Sequence, residues 1–111
     1  MNYDSIAQQQ KQSGQEELEL SDRINLETAR IQWSELERHF ARGVVVVVAP
    51  NKDLIEVAKV FVNDDKGMVE DLRNTQALHI ATIEDAKRWQ PVDATLWAVV
   101  VAPWVLVQDR S

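Results

Sequence analysis

The stretch Val44-Val45-Val46-Val47-Val48-Ala49 decides the fold: five consecutive valines closed by an alanine. Valine is branched at Cβ, so a helix would confine nearly all of these side chains to one χ1 rotamer, whereas a pleated strand packs them well. Successive strand residues point to opposite faces, which sends Val44, Val46 and Val48 one way and Val45, Val47 and Ala49 the other. Both faces are apolar, and such a strand must be covered on both sides.

Working upstream, Gly43 supplies a helix stop. Before it, Leu26, Ala29, Trp33, Leu36 and Phe40 recur at spacings of 3, 4, 3 and 4, which is one stripe of a helix. Ser34 with Glu37 three residues on makes a capping box, which divides the stripe into two helices over 22–31 and 34–42. Working downstream, Pro50 and Asn51 end the strand, and Asp53 caps a helix over 54–63, with Glu56 completing a second capping box. A weaker helix falls within 64–75, with Val69 and Leu72 inward, and a short strand follows at 78–81. Thr82 then caps a helix carrying Ala86 and Trp89, which Pro91 breaks.

The last segment, Thr95 to Gln108, reads TLWAVVVAPWVLVQ and is apolar except at its ends. Pro103 makes it either one interrupted strand or two successive ones, at a sheet edge or a bulge, because proline cannot donate a ladder hydrogen bond. If the strand runs straight through Pro103, Trp97 shares a face with Val99 and Val101, while Trp104 takes the opposite face with Val100 and Ala102. The expected fold class is therefore α+β: a small mixed or antiparallel sheet, centred on 44–49 and 96–107, with four to five packed helices.

The chain of 111 residues has room for one core. Residues 1–20, rich in Gln and acids, read as a disordered tail, leaving 21–111 as a single α+β domain. There is no cysteine, so disulfides and thiolate metal sites are excluded. Eighteen Asp and Glu against twelve Lys and Arg give a net charge of −6. The basic pairs Arg38 with Arg42 and Lys87 with Arg88 have acids nearby, so nucleic acid is not an expected partner. The N-terminus lacks a secretory pattern and no run approaches a membrane span, so a cytoplasmic location and no membrane contact are expected.

Three segments, NLETARIQWSELERHFARG (25–43), DLIEVAKVFVNDD (53–65) and DATLWAVVVAPWVLVQ (93–108), resemble an uncharacterised bacterial family, domain of unknown function 2288. Its most specific block surrounds Trp97, Pro103 and Trp104. The resemblance implies a bacterial origin and brings no activity, substrate or cofactor.

Candidate sites are accordingly few. The acid pair Asp64 and Asp65, and Asp93 elsewhere, lack the further oxygen ligands that a hard cation needs, and read as solvated helix ends. His39 and His79 have no serine or carboxylate at a motif spacing. With three glycines the chain builds neither a P-loop nor a dinucleotide fingerprint. No catalytic, cofactor-binding or metal residue is expected, and no cofactor. Glu27, Arg30 and Trp33 form a candidate pocket for a small polar ligand, against the simpler reading of a helical salt bridge from Glu27 to Arg30. Trp97, Pro103 and Trp104 form a candidate interaction surface, if one sheet face lacks enough helix to cover it. The leading expectation is a non-enzymatic protein-interaction or self-associating module, as a homodimer or with another protein. The alternative is a small-molecule-binding protein or enzyme with its pocket near Glu27 to Trp33.

Overall fold

The computed structural model describes residues 19–110, so the expected 1–20 tail lies, apart from 19 and 20, outside the described residues. Residues 19–27 are helical (α1). The helix ends at Thr28, whose N–H and hydroxyl both bond the Ile24 carbonyl, at 2.9 and 2.6 Å. The helix expected over 22–31 thus stops short, and Ala29–Gln32 forms a strand (β1) instead. Helical periodicity is a weak prior, and here it lost to a distant partner: β1 pairs antiparallel with Thr95–Ala98. Leu26, expected inward on the stripe, is exposed as a result.

Helix α2 spans Trp33–Ala41, with Trp33 and Leu36 buried. Ser34 does not cap it, because the helix begins one residue earlier. The Ser34 N–H instead donates to Asp93 Oδ1 at 2.9 Å, so Asp93 caps α2 from 59 residues away. Strand β2, Val45–Val48, is buried throughout. Helix α3, Leu54–Val62, is capped by Asp53, which accepts the Ile55 N–H at 2.9 Å. Glu56 pairs with Lys59 at 3.4 Å rather than closing a capping box. Helix α4, Lys66–Asn74, is capped by Asp65. Strand β3 (Leu78–Ile80), helix α5 (Ile83–Trp89, with a Thr82–Asp85 capping box), strand β4 (Thr95–Val101) and strand β5 (Trp104–Gln108) complete the α+β fold.

The five strands form one mixed sheet in the order β1-β4-β5-β2-β3. β2 and β5 are parallel and the other neighbours antiparallel. The valine alternation divides the core in two. Val46 and Val48, with Leu78, Val99 and Leu106, meet Ile24 of α1 and Leu54 and Val57 of α3. Val45 and Val47, with Leu96 and Val105, meet Trp33 and Leu36 of α2 and Trp89 of α5. Both faces carry helices, so no whole apolar face is left open; exposed apolar area is local, as at Val100, 62% accessible near the end of β4.

Gln108 closes the end of β5 and is 1% exposed. Its amide donates to the carbonyls of Ala49 and Lys52 at 2.8 and 2.6 Å. Arg110 Nε donates to its oxygen at 2.6 Å. A buried amide is tolerated only when bonded in this way, and the bonds tie β5 to the turn after β2.

Candidate functional site

Pro103 does not interrupt an edge strand. β4 and β5 are interior strands joined by a two-residue turn, Ala102-Pro103, whose peptide bond is cis. The turn brings Trp104 back directly opposite Val101, and directly opposed residues share a face. Trp104 therefore lies on the same face as Trp97, Val99 and Val101, not opposite them. The straight-strand expectation failed because a reversal restarts the alternation in the second strand.

This reversal builds a groove of about 600 Å³ between the turn and helices α3 and α4. Val101, Pro103 and Trp104 form one wall, with Phe61 of α3 and Val69 of α4 across from them. Phe61 and Trp104 meet edge to face, with centroids 6.4 Å apart and planes at 70°, a geometry in which the positive edge of one ring faces the negative face of the other. Asp64, Lys66, Glu70 and Arg73 form the rim. Asp64 sits just past the end of α3 with φ +51°. Its N–H bonds the Phe61 carbonyl and the Asp65 N–H bonds the Val60 carbonyl, both at 3.1 Å, the paired closure of a Schellman motif, which usually takes glycine.

Trp97 belongs to another part of the same face. Arg30 on β1 and Arg110 beyond β5 each place a guanidinium carbon 5.1 Å from the centre of its ring, so two cation–π contacts occupy it. The structure thus places Pro103 and Trp104 in one groove and Trp97 apart from it. It separates the other candidates further. Arg30 lies over Trp97, whereas Trp33 is buried on the opposite face against Phe40 and Trp89, at centroid distances of 5.4 and 5.9 Å. Glu27 closes α1, and because Arg30 is in a strand, no helical pairing joins the two. Phe61 and the α4 rim escaped sequence reasoning, because nothing local says that α4 folds back beside the turn.

The family's sequence profile matches residues 19–109. The chain belongs to DUF2288, a family of proteins of unknown function. A solved structure, the NMR solution structure of PA1075 from Pseudomonas aeruginosa, is 41% identical. It superposes with a TM-score of 0.73, over 83% of this chain and 85% of that one. No curated protein matches the chain. Among the described residues of this DUF2288 protein, no helix is long and apolar enough to cross a membrane, and no group of three or more His, Asp or Glu is placed to hold a metal ion.

Proposed function

We propose that this protein is a non-enzymatic, self-associating module of the cytoplasm, and that two copies meet through the groove between the β4–β5 turn and α3–α4. The Phe61–Trp104 pair carries the reading: two aromatic rings, each only partly buried, on the wall of an open groove. Aromatic side chains in such pockets supply most of the binding energy at protein interfaces. The rim favours a second copy over an unlike partner. A two-fold interface meets the same patch from both sides and so needs both charges within it. Asp64 and Glu70 stand in this rim beside Lys66 and Arg73, and none of the four side chains is paired with another among the described residues.

The groove's volume also falls within the range of small-molecule sites, roughly 300 to 1,000 Å³, so a small apolar ligand is the second reading. Light scattering on the eluting full chain, across a concentration series, separates them. Mass should climb from monomer to dimer, Trp104→Ala should abolish the climb, and Arg73→Glu should shift it to higher concentration with the melting temperature unchanged. A monomer at every concentration overturns self-association and leaves the ligand reading.

A further inference from the structure

A second cavity, of about 390 Å³, lies at the other end of the central strands and on the other face of the sheet, where β2 and β5 run parallel and end. Val47 and Trp89 give it an apolar wall, and Gln76, His79, Arg88 and Asp109 give it polar ones. The crevice beyond the carboxyl ends of parallel strands is where open sheets place ligands.

His79 lies on the edge strand β3 opposite Val47, so its ring projects toward α5. There it meets Asp85, which is 4% exposed. Asp85 Oδ2 is 2.8 Å from His79 Nε2 and accepts the Thr82 N–H at 2.9 Å. Oδ1 accepts from the Arg88 guanidinium at 2.9 Å. Burial pushes the Asp85 carboxyl up, but the bonds from Thr82, His79 and Arg88 outweigh it and hold it below its ordinary value of 3.8. Asp85 is therefore ionised at neutral pH and can only accept.

An acceptor at 2.8 Å from Nε2 requires the proton on that nitrogen. In neutral His79 this leaves Nδ1 as a bare lone pair, and Nδ1 has no partner among the described residues. The side chain is 49% accessible, beside the cavity. Capping α5 needs only Thr82 and Asp85. Arg88 joins Asp85 as an i,i+3 pair and lies over the Trp89 ring, 5.0 Å from its centre; neither the cap nor that pair accounts for His79, which reaches the same carboxylate from β3.

We infer that this cavity is a ligand site for a small monocarboxylic acid that carries a hydroxyl, its carboxylate on Arg88 and its hydroxyl donating to His79 Nδ1. Arg88 has five N–H donors and commits one to Asp85, so a planar fork remains for a carboxylate. Asp85 already offsets the Arg88 charge, and Asp109 lines the same cavity, so a singly charged anion is tolerated better there than a phosphate dianion. The hydroxyl is the specific element, because a lone pair with a fixed tautomer recognises a donor and gains nothing from its absence.

Lactate and propionate differ only in that hydroxyl and are the probes. In long-range proton–nitrogen spectra of the labelled full chain, His79 should carry its proton on Nε2. Lactate should move the His79 Nδ1 and Arg88 side-chain signals while leaving His39, on α2, in place. Propionate should bind at least several-fold more weakly and leave Nδ1 unmoved. His79→Gln, on an edge strand and half exposed, should keep the fold and weaken lactate roughly tenfold. A His79 proton on Nδ1, no lactate-induced shift at His79, or equal binding of the two acids overturns the proposal. None of these readouts depends on the dimer groove.

Discussion

The two cavities lie at opposite ends and on opposite faces of one sheet, and their polar groups are organised in opposite ways. In the groove beside Trp104, the four rim charges have no side-chain partners among the described residues. In the cavity beside His79, Asp85 ties His79, Thr82 and Arg88 together, and Trp89 Nε1 donates to Asp109 at 3.1 Å. Unpaired, solvated charges adapt to whatever arrives and contribute little to stability. A network connected through one buried carboxylate holds its geometry before anything arrives, and losing that carboxylate leaves its partners without an acceptor. The first arrangement suits association and the second suits recognition of one fixed ligand shape.

The difference is open to direct attack by mutation, and the largest effect is expected at Asp85. Asp85→Ala removes a helix cap and the carboxylate that three partners share, and should cost about 2 to 3 kcal/mol in urea unfolding. Arg73→Ala, in the groove rim, should stay within about 0.5 kcal/mol; similar losses at both sites would erase the distinction. The same network sets a pH dependence. Because folding lowers the Asp85 carboxyl below 3.8, its contribution is complete above that pH and is lost as pH falls through the lowered value. The wild-type urea midpoint should therefore fall more steeply below pH 4 than that of Asp85→Asn, which has no proton to take up there.

Gln108 comes next. Gln108→Leu would remove the buried donor that the Ala49 and Lys52 carbonyls share. A loss of about 2 kcal/mol is expected, together with faster amide exchange in the turn after β2. Retained stability would mean that water reaches those carbonyls.

The smallest effects concern the helix ends that border the cavities. α2, α3 and α4 all close with a left-handed residue, Gly43, Asp64 and Gln76, at φ +73°, +51° and +62°. Only the first is glycine. A Cβ at Gly43 would meet nothing within 4 Å, so Gly43→Ala should cost only the conformational penalty of about 1 kcal/mol. Asp64 and Gln76 already carry that penalty, and each lines a cavity. Asp64→Gly and Gln76→Gly should each raise stability by up to about 1 kcal/mol. If both do, while dimerisation and lactate binding respectively weaken, these side chains are retained for binding rather than for the fold.

The groove was half legible in the sequence. Pro103 and Trp104 stand out in an apolar run, but Asp64 and Arg73 look like any solvated helix end until α4 is seen folded beside the turn. His79 and Asp85 are six residues apart across a strand-to-helix junction, a spacing that matches no motif, so their meeting was hidden.

Local chemistry written in the chain determined the valine strand, the Asp53 and Thr82 caps, the Gly43 stop and the apolar faces of α3 and α5, because rotamer freedom and orphan N–H groups are satisfied within a few residues. Tertiary structure decided the rest. Residues 29–32 became a strand because β4 offered its backbone, Asp93 became the cap of α2 across 59 residues, and Trp104 took the face of Trp97 because the chain reversed at Pro103. In each case a partner distant in sequence supplied the deciding hydrogen bonds, and no local pattern records where such a partner will stand.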